Sequence, residues 1–443
     1  MKFHKIIFFQ TVQQRRLFSS FINSNNDSQQ IRVRFAPSPT GQLHLGSFLL
    51  RIEDTDRDRV IEGTQNEFVN VLSHFGLDLD EGPSIGGNFG PYVQSERCEI
   101  YKNEIERLLE MDKAYKCFCS IERLDILRRK SLNEKKIPCY DRHCRNLSKD
   151  EVAAREKNGE IPVVRFKFDS GEMSFKDAVF GAYYTSWSEV DFILLKRDGF
   201  PTYHFANVVD DHYMKISDVI RGAEWLLSTP KHLKLYKALN WKEPRYTHLP
   251  LITEDGKKKL SKRNSAAFSY YTNLGYLPLA VLNFLLRNGS GIKNYNLNQL
   301  YTIDQMIATF DENLIGRNSF MLDMKELDRY GRMAFKQADF EKDLLPSIRQ
   351  QFSLLPKTLK TSINSTLLDN NYFNKVISFL RLNEETFCKM SDITTEDEKL
   401  AIKLLKNLLK LSEENKLVYE QIKYLGSEAN CSPGKITTKQ DEF

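Results

Sequence analysis

The sequence predicts an α/β fold with a nucleotide site at the carboxyl edge of a parallel sheet, followed by a helical region. Residues 31–56 combine an alternating strand, a Gly/Pro loop with a histidine, and a second apolar run that ends in carboxylates. From residue 266 onward, apolar residues recur at helical spacing. With 443 residues and 41% hydrophobic content, the chain is long enough for two or three domains with their own cores.

The N-terminal segment predicts a targeting sequence. Residues 1–26 contain no acidic residue and combine spaced basic residues with hydroxyl and bulky apolar side chains, the composition of a mitochondrial transit peptide. We therefore expect residues 1–30 to be a transit peptide and the protein to work in the mitochondrial matrix. A secretory signal is disfavoured because the apolar run at residues 6–9 is short, and a disordered basic tail is the alternative. No later segment has the ~18–20 uninterrupted apolar residues of a membrane span.

The charge and cysteine content narrow the class of protein. The net charge is +5, of which +3 falls in residues 1–30, so the remainder carries only +2. A polyanionic partner would have to be bound by local basic patches rather than by the overall field. Seven cysteines in a chain of this length do not indicate a disulfide framework, which favours a reducing environment.

Helices and strands alternate through the middle of the chain. Periodicity predicts helices at residues 64–75, 95–112, 121–136 and 226–239, and strands at 115–119, 163–168 and 190–195. The segment that starts at residue 200 is interpreted as a polar strand end. Residues 276–288 are hydrophobic nearly all round and predict a buried helix. Near the end, Thr395 begins a capping box before a leucine stripe that favours core packing, and residues 425–443 predict a loose tail.

Four sequence blocks occur in a fixed order over residues 31–263. They are APSPTG followed by HLGS and RIEDTD within residues 31–56, PTYHFANVVDDH at residues 201–212, VIRGAEW at residues 219–225, and KLSKR at residues 259–263. Together they resemble the glutamyl-tRNA synthetases, which are class I aminoacyl-tRNA synthetases. Any one block would be weak, whereas four in the family's order are highly specific.

The resemblance implies a Rossmann-like class I synthetase catalytic domain with an inserted acceptor-binding α+β domain, followed by an all-α C-terminal region. The implied parts are a catalytic first half at residues 31–115, shortened after Ser47; an inserted domain that binds the tRNA acceptor end at residues 116–190; a catalytic second half at residues 191–265; a helical stem-contact region at residues 266–335; and an incomplete helical anticodon-binding region at residues 336–443.

The implied activity is that of an ATP-dependent glutamate–tRNA ligase in mitochondrial translation. L-Glutamate would be activated by ATP, with Mg²⁺ accompanying the nucleotide, and transferred to the 3′ end of tRNA(Glu). Both reactants are anionic, so the protein has to supply positive charge and aligned donors rather than a covalent nucleophile. The sequence leaves open whether tRNA(Gln) is also charged, and a monomer is expected.

The implied ATP site combines the histidine turn with the basic loop. His44 and the backbone around Gly46 would face the nucleotide, and the loop would close on the phosphates. A Lys/Arg run is by default a solvated face, but the neighbouring blocks favour phosphate binding here. The residues assigned to ATP are His44, Gly46, Ser47, Glu224, Lys259, Leu260, Ser261, Lys262 and Arg263, and those assigned to catalysis are His44, Lys259, Ser261, Lys262 and Arg263.

The implied glutamate site depends on two arginines and a glutamate. Arg34 and Arg221 offer planar forks that suit carboxylates, and Arg221 would bind the side-chain carboxylate. Glu53 would bind the α-ammonium group, although a strand-end ion pair is the alternative for Arg34 and Glu53. An arginine fork left unpaired should reject glutamine. The residues assigned to glutamate are Arg34, Phe35, Ala36, Ser38, Glu53, Tyr203, Asn207, Arg221 and Trp225.

Three cysteines resemble the zinc-binding element of some family members. Cys117 and Cys119 form the first pair, and Cys144 begins a later element that in the family continues to a histidine or tyrosine. Here Asn146 stands at that position, and asparagine is a poor zinc ligand. A zinc ion at Cys117, Cys119 and Cys144 is therefore not expected, unless Cys139 or His143 substitutes.

The chain departs from the family after Ser47. Family members carry a helix there, whereas only three residues separate Ser47 from Arg51. A parallel crossover needs about 12 residues or more, so the strand at residues 48–53 would need another route into the sheet or lose part of its register. Two interpretations stay open: this form of the chain is catalytically impaired, or a segment is missing from the sequence.

Three other functions fit parts of the pattern. Glutaminyl-tRNA synthetase is the nearest enzyme, but RIEDTD and KLSKR favour glutamate. The shortened nucleotide motif supports a non-catalytic tRNA-binding relative. A small-molecule adenylyltransferase with the same nucleotide fold is disfavoured by the insertion and the helical region.

Overall fold

The computed structural model describes residues 32–35, 49–60, 64–77, 79–136, 138–169, 171–187, 191–253, 271, 274–287 and 291–344. These residues belong to two units. The first holds the described residues up to Ile252 together with Phe310–Phe320; the second holds those of Thr253–Thr309 and those from Met321 onward. The predicted transit peptide and nearly all of the predicted anticodon-binding region lie outside the described residues.

The strands and helices of the described residues are numbered in chain order. The strands are β1 (Arg34–Phe35), β2 (Leu49–Leu50), β3 (Ala114–Cys117), β4 (Val163–Phe166), β5 (Gly171–Asp177), β6 (Gly181–Trp187), β7 (Ile193–Leu195), β8 (Asp218–Gly222), β9 (Arg245–Leu249), β10 (Ile252–Thr253) and β11 (Phe320–Met321). The helices are α1 (Thr64–His74), α2 (Cys98–Glu110), α3 (Ile121–Asn133), α4 (Lys149–Lys157), α5 (Tyr203–Tyr213), α6 (Thr229–Ala238), α7 (Pro278–Leu286), α8 (Ile303–Thr309) and α9 (Met324–Gln337).

Parallel strands β8 and β9 form the part of the main sheet that carries the site. They pair from Asp218↔Arg245 to Gly222↔Leu249, and β8 is buried at every position, as expected for a strand covered on both faces. The sheet continues through β5 to β6, in the order β6-β5-β9-β8. The antiparallel hairpin β5–β6 falls within the range predicted as the inserted domain, yet it pairs with β9 through Asp177↔Tyr246.

Strands β1 and β2, which flank the shortened segment, form a parallel pair with Arg34↔Leu49 and Phe35↔Leu50 in register. On the far side of β1, the backbone N–H of Ser217 donates to the carbonyl of Arg32 at 2.9 Å. Strand β2 thus lies directly beside β1, but this pairing alone does not decide between the two outcomes expected for the strand after Ser47, another route into the sheet or a partial loss of register. The crossover itself, at residues 36–48, lies outside the described residues.

The main core of the first unit packs three helices against the antiparallel sheet β3-β4-β7. Apolar side chains of α2, α5 and α6 fill it, among them Tyr101, Phe205 and Leu235. Helix α5 is buried at every residue from Phe205 to Asp211. The interpretation of this stretch as a polar strand end is therefore wrong. Because α5 is buried on all sides, its polar residues need partners inside the protein.

The second unit, in its described part, is mainly helical. Helix α7 confirms the predicted buried helix and packs against α9. The side chain of Asn283 bonds both backbone groups of Tyr301, accepting at 2.7 Å and donating at 2.9 Å. Arg287 pairs with Glu326 on α9 at 3.5 Å. No described helix is both long and apolar enough to cross a membrane.

The predicted helices α1, α2, α3 and α6 are confirmed, with ends shifted by a few residues. Helix α4 and the hairpin β5–β6 were not predicted. Both are polar on much of their surface, so the apolar periodicity that identifies buried elements is weak there.

Candidate active site

Helix α5 organises the site. Tyr203, Asn207 and Asp211 are spaced by four residues and therefore lie on one face of the helix. Asn207 and Asp211 are buried, while the opposite side of the helix packs into the apolar core. The partners of these polar groups come from β1 and from the chain that follows β2.

Arg34, at the start of β1, forms a bidentate ion pair with Asp211. Its Nε donates to Oδ1 at 2.9 Å and its Nη2 to Oδ2 at 3.2 Å. Nη2 also donates to Oδ1 of Asn207 at 3.4 Å. Among the described residues nothing accepts from Nη1 of Arg34. The ion-pair alternative for Arg34 is therefore realised, but with Asp211 and not with Glu53.

Arg51 connects the same cluster to Glu53. Its side chain is fully buried; Nη1 donates to Asp211 at 2.6 Å and Nη2 to Oε1 of Glu53 at 3.0 Å. Asn207 donates to the same Glu53 oxygen at 3.1 Å, so the amide of Asn207 bridges Arg34 and Glu53. Arg51 was not among the predicted site residues, although it begins the RIEDTD block.

The charges of this cluster shape its pKa values. Burial opposes ionisation of Asp211, but Arg34 and Arg51 outweigh it and hold the pKa of Asp211 below its usual value. At Glu53 burial prevails over the same two arginines, and the pKa of Glu53 is raised. Glu53 is therefore the carboxylate that would gain most from an additional cation, such as a substrate ammonium group.

Asp210, next to Asp211, anchors α5 to the segment before α2. It accepts hydrogen bonds from Arg97 at 2.6 Å, from Tyr101 at 2.9 Å and from Gln94 at 2.8 Å. These hydrogen bonds satisfy the fully buried carboxylate of Asp210. Asp210 therefore has a structural role, whereas Asp211 binds the two arginines of the cluster.

Arg221, on β8, has only uncharged hydrogen-bond partners within the described chain. Its Nε donates to Nε2 of His248 at 3.0 Å, its Nη1 to Nδ1 of His232 at 3.1 Å, and its Nη2 to the hydroxyl of Thr229 at 2.8 Å. The guanidinium lies 5.1 Å from the centre of the Tyr246 ring. A guanidinium has five N–H groups, so one N–H remains on each terminal nitrogen. A carboxylate can bind a guanidinium in a bidentate manner through one N–H on each terminal nitrogen.

The histidines around Arg221 are neutral. Burial lowers the pKa of His248 to about 4 with the help of Arg221, although Asp177 acts in the opposite direction. Burial, Lys231 and Arg221 lower the pKa of His204 to about 3. Burial and Arg221 place the pKa of His232 well below its usual value. Arg221 is 7% exposed, and within the described part of the chain its hydrogen bonds go to His248, His232 and Thr229 rather than to a carboxylate.

Two aromatic residues join the two halves of the site. The rings of Tyr203 and Trp225 pack with their centres 4.5 Å apart, and His232 lies 6.1 Å from Tyr203. Burial raises the pKa of Tyr203 to about 12, with Glu53 acting in the same direction and Arg221 and Arg34 against it. Tyr203 therefore lies within electrostatic reach of Glu53, Arg34 and Arg221, which places all three around one cluster.

Gly222 explains how Glu224 approaches the end of β8. A Cβ atom built on Gly222 would collide with the carboxylate of Glu224. Glycine therefore leaves room for the flexible end of Glu224 at a residue whose backbone angles are ordinary. The arrangement keeps the carboxylate of Glu224 against the carboxyl end of β8, the edge at which α/β sheets bind nucleotides.

A cluster of three cysteines lies in the β3 region of the first unit. The sulfurs of Cys117, Cys119 and Cys144 all lie within 4.8 Å of one another, and the Cys119–Cys144 pair is 3.6 Å apart. Four-coordinate zinc with Zn–S bonds of about 2.3 Å separates sulfurs by about 3.8 Å. The hydroxyl of Tyr140 lies 3.3 Å from Cys117 and 3.6 Å from Cys119.

The donor set of this cluster fits a structural metal ion. Asn146 is a poor zinc ligand, whereas the hydroxyl of Tyr140 supplies a fourth oxygen or sulfur atom beside the three thiols. Cys139 is exposed and belongs to no group of three metal-binding side chains in the described part. Burial raises the pKa of Cys119 to about 11, so without a cation this thiol stays protonated.

Comparison with known proteins decides the family. A family model described as tRNA synthetases class I (E and Q), catalytic domain, matches residues 30–329. The chain belongs to this family. The resemblance drawn from the four sequence blocks is thereby confirmed, and so is an aminoacyl-tRNA synthetase catalytic domain of the α/β type.

Individual relatives of this class I synthetase are bacterial. The glutamate–tRNA ligase of Chlamydia muridarum is 37% identical over 422 residues, which cover 90% of this chain and 80% of the relative. That of Protochlamydia amoebophila is 42% identical over 318 residues, which cover 67% of this chain and 63% of the relative. Two solved structures each cover 92% of this chain and are themselves covered to 92%. They are a glutamate tRNA ligase from Elizabethkingia meningosepticum in complex with its amino acid (28% identity, TM-score 0.68) and the glutamate-tRNA synthetase from Elizabethkingia anophelis (29%, 0.70).

In this synthetase the structure gathers the predicted glutamate-site residues that it describes. Arg34, Glu53 and Asn207 contact one another directly or through Arg51, and Tyr203 connects them to Arg221 and Trp225. Phe35 is described only as a residue of β1. The remaining predicted residues lie outside the described part: Ala36, Ser38, His44, Gly46, Ser47, Lys259, Leu260, Ser261, Lys262 and Arg263.

Several residues that hold the site together were not among the predicted site residues: Arg51, Asp177, Asp211, Thr229, His232 and His248. Asp211 is the one with the clearest sequence signal, since it stands four residues after Asn207 in a block already singled out. His248 and Asp177 come from strands far apart in the chain, so no local pattern could have paired them.

Proposed function

We propose that this synthetase is a glutamate–tRNA ligase, which activates L-glutamate with ATP·Mg²⁺ and transfers the glutamyl group to the 3′ end of tRNA(Glu). The observation that carries this proposal is Arg221. A buried guanidinium with three uncharged partners and two remaining N–H groups is suited to a second carboxylate on an amino acid. The names of the bacterial relatives support the same substrate.

The charge around Arg221 also favours glutamate over glutamine. A carboxamide offers one oxygen and an NH₂ group, and the NH₂ cannot accept from the second N–H of the fork. Glutamine would then leave one buried donor unsatisfied and the positive charge uncompensated. A site built on such a pairing can reject an analogue by several orders of magnitude.

The opposite end of the substrate meets Glu53 and Arg34. The raised pKa of Glu53, caused by burial, makes this carboxylate a favourable partner for the α-ammonium group. Nη1 of Arg34 is oriented by the bidentate pair with Asp211 and can donate to the α-carboxylate. Asn207 fixes the spacing of both groups.

The chemistry needs no protein nucleophile. An oxygen of the glutamate α-carboxylate attacks the α-phosphorus of ATP, the bond to the β-phosphate breaks, and pyrophosphate leaves. A terminal ribose hydroxyl of the tRNA then attacks the glutamyl carbonyl, and AMP leaves. This chain's residues hold the reacting carboxylate in place, and such positioning is worth up to ~7–11 kcal/mol of barrier in favourable cases.

The tRNA would be bound by the region around α3 and by the helical part of the chain. Helix α3 has no buried residue and exposes Arg128, Arg129 and Lys130. Unpacked basic side chains of this kind suit contacts with a phosphate backbone. We infer an inserted acceptor-binding domain here and an all-α C-terminal region. We expect a monomer, and charging assays with tRNA(Gln) would show whether that tRNA is a second substrate.

The acid-free residues 1–26 support a role in mitochondrial translation in the matrix. Fusion of residues 1–30 to a reporter, followed by incubation with isolated energised mitochondria, tests the targeting directly. Import with cleavage supports the proposal, and a reporter that stays outside and uncut contradicts it.

ATP–pyrophosphate exchange tests the activity. We expect exchange with glutamate when tRNA(Glu) is present, and much weaker exchange with glutamine. Binding of tRNA without any exchange would identify a non-catalytic tRNA-binding relative instead. The same assay on a chain with a family-length helix inserted after Ser47 measures what the shortened segment costs, and the transcript across the codons for Ser47 and Phe48 shows whether that segment is encoded.

A further inference from the structure

Arg221 is held by a chain of hydrogen bonds that ends at Asp177. Oδ2 of Asp177 accepts from Nδ1 of His248 at 2.7 Å, and Nε2 of His248 accepts from Arg221 at 3.0 Å. On the other side, Arg221 contacts His232 at 3.1 Å, and His232 contacts His204 at 3.0 Å. Except for His204, the residues of this chain of hydrogen bonds are buried, with 7% of their surface exposed at most.

The protonation of these rings follows from Arg221 itself. A guanidinium can only donate hydrogen bonds. Nε2 of His248 and Nδ1 of His232 must therefore be acceptors, and each ring carries its proton on the other nitrogen. His248 then donates to Asp177, and His232 donates to His204. Every member of the chain has one consistent role.

Asp177 is the fixed end of this chain. Its carboxylate accepts four N–H groups: those of Val179 at 3.0 Å and Phe180 at 2.9 Å on Oδ1, and the backbone and ring N–H of His248 at 3.0 and 2.7 Å on Oδ2. An acceptor held by backbone donors on both oxygens cannot rotate away from His248. It therefore imposes the Nδ1–H form of the ring, which presents the Nε2 lone pair to Arg221.

We propose that Asp177 and His248 are positioning and specificity-determining residues, which aim the Arg221 fork at the side-chain carboxylate of the amino acid while leaving its charge uncompensated. This inference rests on the proposed function. The side chain of His248 separates the negative charge of Asp177 from Arg221. Asp177 therefore orients the guanidinium without occupying the N–H groups that would bind the substrate carboxylate. A carboxylate in direct contact with Arg221 would compete with the substrate, whereas a neutral histidine does not.

The substitution Asp177→Asn tests the orientation. Asparagine keeps the volume but must place its NH₂ group against two N–H donors on one side or the other. With the NH₂ toward His248, the ring would shift its proton to Nε2 and turn a donor toward Arg221. Loss of one hydrogen bond to a charged group corresponds to roughly a tenfold to hundredfold weaker interaction. We therefore expect KM for glutamate to rise by about that factor, KM for ATP to stay within about twofold, and discrimination against glutamine to fall.

His248→Gln should have the same effect on KM for glutamate. Asp218→Asn is the matched control, because Asp218 is a buried carboxylate on the same sheet whose partners are Ser217 and Arg245 rather than His248. It should leave the ratio of the two KM values unchanged. Thermal unfolding of each variant checks that the comparison is made on folded protein.

Long-range ¹H–¹⁵N correlation spectra of the imidazole rings give a readout that does not depend on activity. With His248→Gln used for assignment, His248 of the unsubstituted protein should show a protonated Nδ1 and an unprotonated Nε2 at neutral pH, and Asp177→Asn should alter that pattern. A ring with protonated Nε2 overturns the inference, and so does an unchanged KM for glutamate in folded Asp177→Asn protein. If the unsubstituted enzyme does not activate glutamate at all, the proposed function fails, while the spectra still test the hydrogen-bond chain.

Discussion

Replacing Asp211 by asparagine removes the carboxylate on which the two buried arginines converge. Arg34 makes its only described ion pair with Asp211, and Arg51 retains Glu53 at 3.0 Å. Asparagine can still accept a hydrogen bond, but the charge of Arg34 is left uncompensated in a fully buried place. Breaking a buried pair by removing one partner costs ~3–5 kcal/mol, and we expect Asp211→Asn to lose about 3 kcal/mol for this reason.

Urea unfolding followed by tryptophan fluorescence at pH 7 measures this loss. Asp218→Asn is again the control: Arg245, its partner, is 35% exposed and also pairs with Glu312 at 2.9 Å. Water and Glu312 compensate there, so the control should lose about 1 kcal/mol or less. An Asp211→Asn loss no larger than that of the control would refute the idea that the ion cluster is held by Asp211.

The pH dependence gives an independent check of the same idea. The pKa of Asp211 is depressed in the folded protein, chiefly because Arg34 and Arg51 outweigh burial. A carboxyl group with a depressed pKa stabilises the folded protein at pH values above its unfolded pKa of about 3.9. This stabilisation is lost as the pH falls through the pKa of the folded protein. The difference between Asp211→Asn and the unsubstituted protein should therefore stay constant at neutral pH and shrink only below about pH 4.

Three further predictions concern other parts of the molecule. In the folded protein, His204 and His248 have pKa values of about 3 and about 4, so both are neutral. The free energy of unfolding should therefore fall as the pH drops below about 6.5, the pKa of histidine in the unfolded chain. A free energy of unfolding that does not fall between pH 7 and pH 5 would contradict this. Gly222→Ala should change the melting temperature little, because the flexible end of Glu224 can move away, but should raise KM for ATP; an unchanged KM would remove Glu224 from the nucleotide site. Elemental analysis should find about one zinc per chain and markedly less in Cys144→Ser; metal-free folded protein would end the zinc assignment.

Much of the fold could be predicted because the signals are local. The helices α1, α2 and α7 carry apolar residues at helical spacing, and the strand character of β1 and β2 follows from short apolar runs that border polar turns. Helix α5 was misread for a physical reason. It is buried on all sides and carries two aspartates and an asparagine inward, so it lacks the one-sided apolar pattern of an ordinary surface helix.

The sequence could predict that the residues assigned to glutamate lie together, but it could not predict their contacts. Arg34, Glu53, Asn207 and Arg221 do gather around α5, as the sequence blocks imply. The sequence could not show that Arg34 forms a bidentate ion pair with Asp211. The pair joins β1 to α5, which are far apart in the sequence and meet only through tertiary packing. The sequence also indicated no role for the neutral histidines, because their protonation depends on burial and on nearby charges such as Arg221, which come together only in the folded chain.

Tyr140 was not among the candidate metal ligands for a similar reason. Sequence spacing directed attention to the position two residues after Cys144, whereas the chain folds back so that a residue four positions before Cys144 faces the thiols. Ligand sets are formed in space, and spacing along the chain only limits them.

The most direct test of the central claim compares aminoacylation of tRNA(Glu) by the unsubstituted enzyme and by Arg221→Ala, each with glutamate and with glutamine. We expect the unsubstituted enzyme to charge glutamate in strong preference to glutamine. Loss of a bidentate charged pair, worth at least ~3 kcal/mol, should lower kcat/KM for glutamate more than a hundredfold in Arg221→Ala and leave glutamine nearly unaffected. Equal charging of glutamate by the two proteins would contradict the assignment of Arg221 as the residue that selects the substrate.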